Sequence, residues 1–153
     1  MSEKDELIKI FQFSGKEEDW EDWSFGFMAR ATLHGYADIL TGIETCPSKQ
    51  KVLDDSKNAT IGQIDKDKNK LLYALNNKAW AHLVSSMKPT TCKAAISILR
   101  LCQTTDLPQG NTYMGCKALQ DHFMIKSVVT SQQLLSEFYD KRMKLGVNPS
   151  EYG

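Results

Sequence analysis

The chain has 153 residues, and its nineteen Lys and Arg balance nineteen Asp and Glu to a formal net charge of zero. This length is enough for one ordinary domain or two small lobes with a buried core. The balanced charge disfavours a dedicated nucleic-acid binder, which usually carries a basic excess. No apolar run approaches the ~18 residues that a membrane-spanning helix requires.

The amino-terminal residues and the cysteines indicate a cytoplasmic protein. Residues 1–6 are mostly charged and do not resemble a signal peptide. The cysteines are scattered, as is typical of reduced thiols inside a cell: Cys46, Cys92, Cys102 and Cys116. Residues 7–13 form either an extended arm or a single helical turn, because periodicity cannot decide between them over so short a stretch.

An amphipathic helix is predicted from about Glu18 to His34. Its acidic start suits the positive end of the helix dipole, and Gly35 is well placed to end it. Apolar side chains recur along one stripe at i, i+3, i+7 and i+11: Trp20, Trp23, Phe27 and Ala31. Aromatic side chains of this size dominate core energetics, so we expect this stripe and Phe13 to form the core.

Phe25 and Met28 lie on the same helix but outside the tryptophan stripe. Two alternatives follow from their position. Either they widen the buried stripe, or they face a neighbouring molecule and contribute to self-association.

Two predictions concern the stretch that follows. Residues 36–41 form a short second helix that Gly42 ends. Residues 43–59 are largely polar and contain Pro47, so we expect a surface loop there, the most mobile part of the chain.

A long helix is predicted from about Ile61 to Met87, stopped by Pro89. Its apolar face is expected to place three leucines in the core: Leu71, Leu75 and Leu83. Either Thr90 or Thr91 caps the next helix, which directs Ile98 inward.

Residues 104–111 break the helical pattern with Pro108 and Gly110, and we place a boundary between two lobes there. The first lobe spans residues 1–106, and residues 111–153 begin the second, with Phe123 and Phe138 as core positions. No segment joins strand-like alternation to hairpin turn residues, so the predicted class is all-α.

No constellation of residues predicts catalysis, a metal site or a cofactor. Cys116 and His122 lack the second pair that a zinc site needs, and the three histidines fall on different predicted helices. There is no nucleophile elbow, phosphate-binding loop or dinucleotide fingerprint. We therefore expect neither an enzyme nor a small-molecule substrate.

One family resemblance takes the interpretation further. Phe13-x-Gly15, then Trp20-x-x-Trp23 and an apolar helix leading to Gly42, resembles the opening of Gag capsid regions from copia-type LTR retrotransposons. The later helices follow in a similar order, so the likeness extends from about Phe13 to Gly146. It implies a retroviral-capsid-like helical bundle lobe followed by the start of a second small helical lobe. It also implies a structural protein that self-associates into rings or a closed shell around retrotransposon RNA, as in a virus-like particle.

The chain departs from this family in three ways. Residues 43–60 are polar and fairly long, and the sequence ends at Gly153, before the Leu-Pro and Tyr segment that normally continues the second lobe. It also has neither a zinc knuckle nor a basic nucleocapsid tail. We therefore expect this part of a Gag protein to bind RNA only weakly. The sequence leaves three origins of the chain open: an active element, a trimmed sequence or a host-captured relative.

Three functions remain as alternatives. The first is a capsid subunit whose partner is a second copy of itself. The second is a host-captured or unrelated helical adaptor that binds one protein partner. The third is a helical nucleic-acid binder or an enzyme.

Overall fold

The computed structural model describes residues 12–124, and these residues are mostly helical. A 3-10 turn at Glu17–Asp19 leads into the first of six helices in this range. They are α1 (Trp20–His34), α2 (Ala37–Thr41), α3 (Lys49–Lys57), α4 (Gln63–Ser85), α5 (Lys93–Arg100) and α6 (112–124). Within the described range there is no strand, apart from one isolated bridge between Phe13 and Met87, so the prediction of an all-α fold is confirmed.

The core is centred on the aromatic side chains around α1. Phe13, Trp20, Trp23, Phe27 and Phe123 are all buried, at 8% exposure or less. The ring centroid of Phe123, on α6, lies 5.0 Å from both Trp20 and Phe13. These contacts join the amino-terminal arm, α1 and α6 into one cluster.

Phe13 is fixed by its backbone as well as by its ring. Its amide donates to the Ser86 carbonyl at 2.8 Å, and the Cys92 thiol donates to the Phe13 carbonyl at 3.1 Å. Two residues later, Gly15 has a φ of +89°, and a Cβ there would overlap the Thr91 carbonyl. Only glycine can adopt this positive φ without strain and also leave room for the Thr91 carbonyl. This explains the glycine in the Phe13-x-Gly15 motif.

The ends of α1 and α2 are close to the predicted ones. α1 begins at Trp20, after the 3-10 turn, and both helices end at glycines in the left-handed region, Gly35 with φ 84° and Gly42 with φ 81°. Left-handed glycines are common helix terminators because they have no Cβ to clash.

The prediction of a loop over residues 43–59 is wrong, because this stretch contains α3. The Ser48 side chain accepts a hydrogen bond from the Lys51 amide at 3.1 Å and so caps the helix. Lys51 and Asp55 pair at 2.9 Å, and Asp55 also accepts from Asn69 on α4 at 2.8 Å. α3 has no buried residue, so the apolar periodicity that predicts the other helices is missing here.

Three core predictions on α4 have different outcomes. Leu83 is fully buried and Leu75 is half-buried against the core, but Leu71 is 58% exposed, so its assignment to the core is wrong. Four residues turn a helix by about 400°, so each i+4 step drifts by about 40°. Three such steps separate Leu71 from Leu83, and they carry Leu71 out of the buried face.

α5 places Ile98 partly against the core, but its cap differs from the prediction. The residue before its first turn is Cys92, not Thr90 or Thr91, and no side chain caps the helix there. Cys92 is buried, and its thiol donates to the Phe13 carbonyl.

Across the boundary predicted between residues 106 and 111, α6 packs into the same core as the helices before it. Asn76 of α4 is fully buried and binds both sides of the turn. Its amide donates to the Gly110 carbonyl at 2.9 Å, and its side-chain oxygen accepts from the Thr112 amide at 3.1 Å. The first structural unit therefore extends beyond residue 106 into α6. The predicted core residue Phe138 lies outside the described residues.

Candidate interaction surface

The side of α1 that points away from the core is apolar. Its residues recur at i, i+3, i+4 and i+8, and we call them the outer face of α1: Phe25, Met28, Ala29 and Leu33. Phe25 is 80% exposed, Leu33 79% and Met28 37%. Because a residue advances about 100° around a helix, this face lies opposite the stripe of Trp20, Trp23 and Phe27.

The outer face of α1 also lacks charge. Between Asp22 and Asp38 the sequence contains one Lys, Arg, Asp or Glu, namely Arg30, which is only 6% exposed. Thr32 lies within the face, but its hydroxyl donates to the Met28 carbonyl at 3.1 Å and is satisfied inside the helix. Such a face can be covered without removing a charge from water.

Carboxylates border this face at the start of α1. They are all exposed: Glu17, Glu18, Asp19, Glu21 and Asp22. They stabilise the positive end of the helix dipole. The surface is therefore acidic at the amino-terminal end of α1 and neutral along the rest of the helix.

A groove of about 410 Å³ runs between α1 and α6. Trp20, Trp23 and Phe27 line it from α1, and α6 contributes residues one turn apart: Cys116, Gln120 and Met124. Met28 lines the groove and belongs to the outer face of α1, so the two apolar surfaces are continuous.

The ionisable groups buried behind α1 are structural. The Tyr36 hydroxyl lies 2.9 Å from Nδ1 of His82, and the ring centroids of His34 and His82 are 4.9 Å apart. Tyr36 is fully buried, and burial raises its pKa to about 12 against the smaller, opposite effect of Arg30. No side of the Tyr36 ring is open to solvent.

Burial keeps two of the cysteine thiols, those of Cys46 and Cys116, protonated at neutral pH. All four are free, and burial raises the pKa of Cys46 to about 11 and that of Cys116 to about 12. A thiol with so high a pKa is a poor nucleophile and a poor metal ligand. The part of the chain that the structure describes holds no group of three His, Cys, Asp or Glu that could bind a metal ion. In that same part, every helix is too short or too polar to span a membrane.

The sequence identified half of the outer face of α1. Phe25 and Met28 were candidates for self-association, and both are exposed. Ala29 and Leu33 were missed, although their spacing from Phe25 is helical and could have been read as a second stripe.

No family model, no curated protein and no solved structure matches the chain.

Proposed function

We propose that this chain is a structural capsid subunit that self-associates into rings or a shell around retrotransposon RNA. The observation that carries the proposal is the outer face of α1, which is apolar, uncharged and exposed from Phe25 to Leu33. A helix that is apolar on two opposite sides needs a partner on the second side. The resemblance to copia-type Gag capsid regions supports the same function.

A second copy suits this surface better than a charged ligand does. The face offers no cation to a phosphate, whereas two copies of it remove apolar surface from water without stranding a charge. Contacts of this kind are individually weak, and they hold a shell together when many form at once. The alternative is a helical adaptor that uses the same face for one different protein.

Size as a function of concentration tests the proposal. We expect the full chain to be a monomer or a weak oligomer when dilute, and to form rings, sheets or shells when concentrated. Light scattering across a concentration series, followed by electron microscopy of the concentrated sample, measures this directly. Kosmotropic salt should favour assembly, because it strengthens apolar contacts. A chain that stays monomeric across the whole series contradicts the capsid function and favours the adaptor.

A further inference from the structure

We infer that the outer face of α1 pairs with the same face of a second copy, antiparallel, about a two-fold axis beside Ala29. This inference rests on the proposed function, because it identifies one contact through which copies meet. A shell needs further contacts besides this one.

Two bulky apolar side chains lie at equal distances on either side of Ala29 along the face. Phe25 lies four residues before it and Leu33 four residues after it, each about 6 Å along the helix axis. In an antiparallel pair centred on Ala29, Phe25 of one copy meets Leu33 of the other, and the same contact recurs across the axis. This reciprocity is the defining property of a two-fold interface.

Ala29 suits the crossing point because its side chain is small. Packed helices approach to about 8–10 Å depending on the side chains between them, and small residues allow the closer distances. The bulky residues then lie on either side of the crossing, where the helices diverge and leave room for them.

Charge selects the antiparallel orientation over the parallel one. A parallel pair would bring together the five carboxylates that each copy carries between Glu17 and Asp22. In the antiparallel pair these clusters lie at opposite ends, roughly 20 Å apart or more, which exceeds the Debye length of about 8 Å at physiological salt. The two helix dipoles are also opposed in this arrangement, which is favourable.

The same carboxylates argue against two other occupants. Nucleic-acid phosphates and anionic lipid headgroups would both be repelled by them, and the outer face of α1 supplies no Lys or Arg to compensate. A neutral, apolar copy of the same face meets no such penalty.

A pair of complementary variants of the full chain tests both partner and register. Phe25→Lys and Leu33→Glu should each weaken self-association in sedimentation equilibrium by about a hundredfold, because each variant puts two charges into apolar contacts. An equimolar mixture of the two variants should associate more tightly than either alone. In the mixed pair, one end joins the two new opposite charges and the other end keeps its Phe25–Leu33 contact.

Cross-linking tests the axis separately. Under mild oxidation, Ala29→Cys should form a disulfide between copies, located by mass spectrometry at position 29 in both chains. The matched variant Glu18→Cys should not, because residue 18 of the two copies is far apart in the antiparallel pair. The wild-type chain, with its four native cysteines, serves as the background for both.

The outcomes separate this inference from the proposed function. If the wild-type chain assembles and both single variants assemble equally well, copies meet elsewhere, so the inference is overturned and the capsid function stands. If Glu18→Cys cross-links and Ala29→Cys does not, the antiparallel register is overturned. If Phe25→Lys lowers the melting temperature of the dilute monomer by several degrees, the face is covered within the chain itself and the inference fails. A wild-type chain that never assembles removes the proposed function and the inference together.

Discussion

Tyr36 links the stability of this fold to alkaline pH. Its ring is fully buried, its hydroxyl is 2.9 Å from Nδ1 of His82, and burial raises its pKa from 10.0 to about 12. The fold therefore favours the neutral phenol. The resulting stabilisation is complete below pH 10 and is lost as the pH rises through 12.

We expect Tyr36→Phe to change the pH dependence of stability in two opposite ways. At pH 7 the variant should be less stable by about 1 kcal/mol, because the hydrogen bond to His82 is lost. Between pH 10 and 12 it should lose less stability than the wild type, because there is no buried phenol to ionise. Urea denaturation at a series of pH values measures both effects.

Tyr113→Phe is the matched control, since Tyr113 is 41% exposed. Its stability should follow the wild type at every pH. Both proteins should already decline above pH 9, where the buried thiols of Cys46 and Cys116, with raised pKa values, begin to favour the unfolded chain. A wild-type curve that stays flat from pH 9 to 12 contradicts this account of Tyr36 and the thiols.

At the scale of a single element, α1 is a helix with two apolar sides of opposite role. Trp23 is 8% exposed, and its ring centroid lies 5.1 Å from that of Phe27 and 5.3 Å from that of Phe13. Phe25, two residues along, is 80% exposed. The two aromatic residues thus have comparable chemistry and different surroundings.

Truncating each of these residues should therefore have very different effects on folding. Trp23→Ala should lower the free energy of unfolding by about 3–5 kcal/mol, because it opens a cavity among the core aromatics. Phe25→Ala should change it by no more than about 0.5 kcal/mol, as is usual for exposed positions. Thermal or urea unfolding of dilute samples measures both without a contribution from association. Equal losses for the two variants would mean that the two sides of α1 are not distinct.

At the scale of the whole molecule, the balance of charge limits what the chain does with RNA. Affinity for nucleic acid comes mainly from Lys and Arg that displace counterions from phosphates, and nineteen acidic residues offset the nineteen basic ones here. The exposed carboxylates at the start of α1 add local repulsion. A shell built from such subunits would enclose RNA with little help from this part of the protein.

We accordingly expect weak RNA binding without sequence preference. Filter binding against several unrelated RNAs at physiological salt should give similar, weak affinities for all of them. Neutralising the most compact basic cluster of the sequence, Lys141, Arg142 and Lys144, should change these affinities little. A submicromolar dissociation constant at physiological salt would contradict the expectation.

The helical class, the approximate limits of α1 and α2, and the core aromatic residues of α1 were all predictable from the amino-acid sequence. These features depend on neighbours in the chain: acidic residues at a helix start, glycines at two helix ends, and Trp20, Trp23 and Phe27 recurring at helical spacing. Half of the outer face of α1, namely Phe25 and Met28, was also recognisable in the sequence, because both residues lie on this helix outside the tryptophan stripe. Local interactions of this kind are present whatever the rest of the chain does.

Contacts between distant parts of the chain settled whether Phe25 and Met28 are covered, and they placed α6 in the first unit. Leu71 appeared equivalent to Leu83 in the pattern, yet the drift of α4 leaves it 58% exposed. The Pro and Gly residues near position 110 suggested a boundary, yet Asn76, 34 residues earlier, binds Gly110 and holds α6 in the same core. The position of each of these side chains depends on a partner far away in the sequence, and no local pattern contains that partner.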